Sequence, residues 1–321
     1  MNILTSGHVN VSPVRMTTAA TLEDIFEALR SKPYEGPPGS GWGGVLGDES
    51  HDSPAVMRAA PGAPGLGTVR SGVLSTRFLT DHYSVRLARQ FDDEMLETLP
   101  ASYTHELLAT DVLVYGEKTT TVLVGTHNAV ERDRVMKALA TAVATAGGGP
   151  PDVDVAHPSF VCDPDFFLWL IYRQNSNAKV STSIELLGIR YARAMNQANQ
   201  RVDFRDSASM DRAELLTVIG QAGSRFGSAK VMLLHRGLDL ELDVHLSIDG
   251  SFSPFIGTSF YRKKLVQGTN VGVRLALDAA QVVIPDLHTA YAADKKWITE
   301  RKKFRNQARE AVVGLMSTST V

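Results

Sequence analysis

One stretch of this chain combines residue type and spacing in a way that points to chemistry: Arg236-Gly237-Leu238-Asp239-Leu240-Glu241-Leu242-Asp243-Val244-His245-Leu246-Ser247-Ile248. Apolar and polar residues alternate strictly, which is the period of a strand with one buried face. Such a strand would carry Asp239, Glu241, Asp243 and His245 along its other face, successive side chains about 7 Å apart. Carboxylates at that spacing suit a hard divalent cation, Mg2+ or Mn2+, with Asp239 and Glu241 as ligands and Asp243 or His245 in support. The structural alternative is the wetted face of an antiparallel sheet.

Phe226-Gly227-Ser228, ten further residues and then Asp239-Leu240-Glu241-Leu242 resembles the nucleotidyltransferase pattern. In that superfamily the Gly-Ser backbone approaches nucleotide phosphates, and the paired acids hold two metals together with a third acid from a neighbouring strand. The resemblance implies a metal-dependent nuclease or nucleotidyltransferase. The context departs from the pattern: Gly220, Gly223 and Gly227 follow a helical segment, the spacer contains the strand-like Val231-Met232-Leu233-Leu234, and no third acid is placed.

Two basic segments point instead to phosphate. The helix expected from Asp294 onward puts Trp297, Phe304, Ala308, Ala311 and Leu315 on one apolar stripe. Lys295, Lys302, Arg305 and Arg309 fall beside it within an arc of about 80°. A basic ridge on an apolar seam can follow a phosphate backbone, in contacts that salt weakens; the plain alternative is an amphipathic helix with long side chains reaching into water. In Ser259-Phe260-Tyr261-Arg262-Lys263-Lys264, Tyr261 offers a stacking surface beside Arg262, Lys263 and Lys264, as single-stranded nucleic acid requires. An edge strand blunted by lysines has the same composition.

Composition narrows the classes. Hydrophobic residues make up 43% and charged residues 21% of 321 residues, the balance of a globular protein with room for two cores. No run of 18 apolar residues is present, so no membrane partner is expected, and no signal peptide pattern opens the chain; the expected address is the cytoplasm. Cys162 is the only cysteine, which excludes an intramolecular disulfide and a cysteine zinc cage. The first 150 residues carry a charge balance of −5 and the remainder +3, with 11 bases against 5 acids between 261 and 310. Phosphate-binding and esterase motifs fail: Gly39-Ser40-Gly41-Trp42-Gly43-Gly44 follows no strand, and neither a Gly-Lys-Ser/Thr loop nor a Gly-x-Ser-x-Gly elbow occurs. Cys162 lies beside Asp163, which would raise its thiol pKa rather than activate it.

These residues need elements to position them. Thr21 caps a short helix to Arg30, and Met16 ahead of it makes residues 1–15 a candidate leader. Residues 33–69, rich in Gly and Pro, read as a linker. Strands follow at 70–80, 106–115 and 119–125, and helices at 83–98 and from the Asn128 cap to 146. Asp163 and Pro164 open a buried helix. Strands are expected at 180–192, 200–205 and 231–234, a helix from Met210 to 220, and helices from Val271 onward, interrupted at Pro285. The fold class is α+β: an N-terminal helix and linker over 1–69, a small α+β module over 70–149, and a larger domain over 150–321 with an antiparallel or mixed sheet and C-terminal helices.

The leading expectation is therefore a nucleic-acid-binding protein, DNA or RNA, or one that binds an acidic protein surface. It uses the basic C-terminal helix and the 262–264 cluster, without catalysis or cofactor. The metal-dependent enzyme is the second reading. A subunit of a protein complex, docked through the N-terminal helix, is the third.

Overall fold

The computed structural model describes residues 7–36, 38–43, 72–116, 119–205, 212–263 and 271–318. Among these, residues 10–157 form one unit and residues 7–9 with 158–318 form another. Lys264, the 44–69 part of the expected linker, the 117–118 turn and Met210 lie outside the described residues.

In the N-terminal unit the elements run β1 Ser12–Thr17, α1 Leu22–Arg30, β2 Ser40–Trp42, β3 Val73–Tyr83, α2 Val85–Ala88, α3 Asp93–Thr98, β4 His105–Tyr115, β5 Thr119–Val124, α4 Ala129–Val143 and β6 Asp152–Asp154. The sheet order is β2-β3-β4-β5-β1-β6, with every neighbour antiparallel. Thr21 and Asp24 form a reciprocal capping box on α1, and Asn128 accepts two backbone N–H bonds at the start of α4. Ile25 and Leu29 of α1 meet Val135, Met136 and Leu139 of α4 over Val14, Met16, Val112, Val122 and Val124 of the sheet.

Two expectations change here. Of the candidate leader 1–15, residues 12–15 belong to β1, an inner strand between β5 and β6, and Met16 is fully buried. The N-terminal helix turns Ile25, Ala28 and Leu29 into this core, with Leu22 and Phe26 part-buried against it. Within the expected linker, residues 40–42 pair with β3 as its edge strand, and Trp42 is buried with its ring 5.0 Å from Phe78. Sequence composition hid this, because a single tryptophan anchors glycines that carry no apolar area of their own.

The C-terminal unit contains α5 Pro164–Ser176, β7 Ile184–Met195, β8 Arg201–Arg205, α6 Ala213–Gly220, β9 Arg225–His235, β10 Leu240–Leu246, β11 Phe252–Pro254, β12 Phe260–Tyr261, α7 Val271–Asp278, α8 Ile284–Ala293 and α9 Lys295–Thr318. Its antiparallel sheet has the order β11-β10-β9-β7-β8, with β12 also on β10. The apolar run at 231–234 is thus central, flanked on both sides. The α5 helix, buried from Phe166 to Ile171, packs against β7 and β9. Pro285 does not break the helix. A five-residue π turn over Ala279–Val283 joins α7 to α8 and absorbs the missing N–H and the ring of the proline. The whole is an α+β fold of two antiparallel sheets with C-terminal helices.

Candidate functional site

The acidic stretch is only partly a strand. Asp239 has φ 48° and ψ 40°, the left-handed end of a short turn over Arg236–Leu238, so it stands before β10 rather than on its face. Glu241, Asp243 and His245 do alternate on β10. Each acid already has cations. Asp239 pairs with Lys263 at 2.5 Å, and Glu241 with Arg262 at 2.6 Å. Lys263 bonded to Asp239 holds that carboxyl below its ordinary range. Asp243 is fully buried and meets Arg190 and Lys230. Among the described residues no three His, Cys, Asp or Glu side chains converge as a metal-ligand set. The Phe226-Gly227-Ser228 motif lies inside β9, with no turn into a helix for a phosphate to approach.

The described residues of the second basic cluster are paired through the same contacts. Arg262 and Lys263 answer Glu241 and Asp239, and the Tyr261 hydroxyl donates to Asp278 Oδ2 at 2.7 Å. Burial and the neighbouring Asp278 raise the Tyr261 pKa. Residues 261–263 therefore close off β10 instead of offering a stacking surface.

The basic helix divides by role. Trp297, Phe304 and Ala308 are buried as expected and Ala311 is exposed, while the Leu315 side chain lies outside what is described. Asp294 secures the start of α9, accepting from Trp169 Nε1 at 2.9 Å and from the backbone N–H of Trp297 at 3.3 Å. Arg305 donates from Nη1 to the carbonyls of Ile219 at 3.0 Å and Gln221 at 3.3 Å and to Ser224 Oγ at 3.1 Å. Arg309 donates from Nε to the carbonyl of Gly220. Both arginines thus satisfy the open carbonyls at the C-terminus of α6, where a cation also complements the helix dipole. Gly220 permits the approach: a Cβ there would sit 2.8 Å from Arg309 Cγ and 3.3 Å from its backbone nitrogen. Lys295 and Lys302 remain exposed.

A groove of about 710 Å3 opens where α9 passes the start of α5 and the turn from α6 to β9. Its cations are Arg225, Arg301, Lys302, Arg305 and Arg309, and its carboxylates are Asp163 and Asp165. Asp165 pairs with Arg301, while Asp163 caps α5 by accepting the Phe166 N–H at 2.7 Å and also takes the Tyr291 hydroxyl at 3.2 Å. Among the described residues Lys302 and Arg225 have no ion-pair partner, so the groove keeps a positive excess. The structure thereby brings Lys302, Arg305 and Arg309 together and leaves Lys295, Arg262 and Lys263 away from that groove. Arg225 and Arg301 were not anticipated from sequence; Arg301 stood in the basic run but outside the arc, and nothing local marks Arg225.

Cys162 is no nucleophile. It is buried, with Sγ 3.7 Å from His288 Nε2, and burial first and Asp163 second push its thiol up to about 12. No helix among the described residues is long and apolar enough to cross a membrane. No protein-family model matches this sequence, and no curated protein matches it.

Proposed function

We propose that the C-terminal unit binds nucleic acid in the groove beside α9, by its phosphate backbone and without catalysis. The observation that carries this reading is the gathering of five cations from α9 and the start of β9 around one groove that holds two carboxylates. Guanidinium groups fixed by α6 carbonyls have already lost rotamer freedom, which lowers the entropy cost of meeting a phosphate. Lys302 and Arg225, without ion-pair partners among the described residues, supply the charge that phosphate contacts would use.

The test is binding of the full chain to labelled DNA and RNA across a salt titration, with Arg225→Ala and Lys302→Ala combined. Two lost phosphate contacts reduce the slope of log K against log salt by about 1.8 for duplex DNA, weakening binding at every sequence alike. An unchanged slope in the double variant removes the groove from the account. Binding to an acidic peptide and to neither nucleic acid assigns the same groove to a protein partner.

A further inference from the structure

The sheet of the C-terminal unit carries a second collection of cations, remote in sequence from α9 and independent of the groove. Asp243 on β10 has a side chain with no exposed area, although it stands on the polar side of the alternation. Its Oδ2 accepts from Arg190 Nη1 at 3.3 Å and from Thr258 Oγ1 at 2.6 Å, and lies 3.4 Å from Lys230 Nζ. Among the described residues its Oδ1 has no hydrogen-bond partner. Burying a carboxylate with one oxygen unanswered costs stability, and such a group calls for a reason. Two cations held on one oxygen supply it. The two nitrogens must lie within about 7 Å of each other, a gap that one phosphate group bridges through charge-assisted bonds of about 2.8 Å on each side.

Neither cation is sealed off. The Arg190 side chain keeps 44% of its area exposed and Lys230 22%. Lys230 Nζ also rests 3.5 Å from the centre of the Phe255 ring, which fixes it against one face. Across the neighbouring strands the imbalance repeats: Asp203 on β8 holds both Arg193 at 3.2 Å and Arg201 at 2.6 Å. Two carboxylates therefore anchor four cations on β7, β8 and β9.

We propose that Arg190 and Lys230 form a receptor for a phosphate group on this sheet, with Asp243 as the positioning residue that sets their spacing. The group arrives either on a small phosphate compound or in a single strand of nucleic acid. The experiment follows the side-chain 15N resonances of Arg190 and Lys230 in the full chain, carrying Arg225→Ala and Lys302→Ala so that the α9 groove is weakened. Inorganic phosphate is one probe and an oligothymidylate of about ten nucleotides the other.

Saturable shifts of both resonances are expected, and Arg190→Gln lowers the affinity about tenfold. Asp243 still holds Lys230 and Thr258 in that variant, so the fold is retained. Tighter saturation by the oligonucleotide assigns the site to a strand, and saturation by phosphate alone assigns it to a small compound. The absence of a saturable shift with either probe overturns the proposal, as does an unchanged affinity in a folded Arg190→Gln protein.

Discussion

Replacing Arg305 by alanine separates the two roles available to the basic helix. Its guanidinium makes bonds of 3.0 Å to Ile219 and 3.1 Å to Ser224 Oγ, with a longer one of 3.3 Å to Gln221. A hydrogen bond from a charged group contributes about 1.5–3 kcal/mol, and the cation at a helix C-terminus adds about 0.3–1 kcal/mol. Arg305 is only part-buried, so water recovers some of each contact, leaving about 2–3 kcal/mol. In a unit of this size that lowers Tm by roughly 5–10 °C. The assay is denaturation followed by fluorescence of Trp169 and Trp297, both buried in the C-terminal unit. Lys302→Ala is the control, with a change within about 0.5 kcal/mol expected at an exposed site. Arg305→Lys should recover only part of the loss, because an ammonium cannot reproduce the fork. A loss below about 0.5 kcal/mol for Arg305→Ala, or an equal loss for Lys302→Ala, would refute the assignment of Arg305 to the end of α6.

Starting the chain at Met16 removes residues 12–15 from an inner strand, so loss of the cooperative transition of the N-terminal unit is expected in calorimetry; an intact transition contradicts the pairing of β1 with β5. Arg77 Nε and Asp111 Oδ1 meet at 2.7 Å with side chains 8% and 1% exposed. Asp111→Ala removes the carboxylate from a buried guanidinium and should cost up to about 3–5 kcal/mol in urea denaturation, whereas replacing both residues by apolar ones of similar volume should cost far less. The Cys162 thiol, raised from 9.0 to about 12, stays protonated in the folded chain while the unfolded chain ionises above 9. Stability is therefore expected to fall between pH 9 and 12 by up to about 1.4 kcal/mol per unit, a component that Cys162→Ala abolishes. Alkylation of Cys162 at pH 8.5 should likewise be slow until denaturant is added.

Local patterns carried the elements well. The Thr21 and Asp163 caps and the apolar run at 231–234 each depend on neighbours a few residues away and appear where their spacing puts them, and of the 236–248 alternation residues 240–246 form a strand. What the sequence concealed depends on distant partners. The place of β1 rests on β5, more than 100 residues on. Asp239 looked like part of the alternation because a left-handed turn residue leaves no mark on a period of two, although Asp is among the few residues that tolerate it.

The charged residues show why a tally of bases says little about a surface. Arg262 and Lys263 look as available as Lys302 in the sequence, yet strand pairing sets them against Glu241 and Asp239. Arg305 and Arg309 look equally free, yet they complete a helix more than 80 residues away. Availability follows from the ratio of acids to cations at each place. It is one to one for Asp239 with Lys263 and for Glu241 with Arg262, and one to two at Asp243 and at Asp203. A partner that bears phosphate gains free energy only where that ratio leaves a cation over, since breaking an existing pair costs as much as the new contact returns. On that ground the α9 groove and the Arg190–Lys230 pair are the places to look, and the cluster at 261–263 is not.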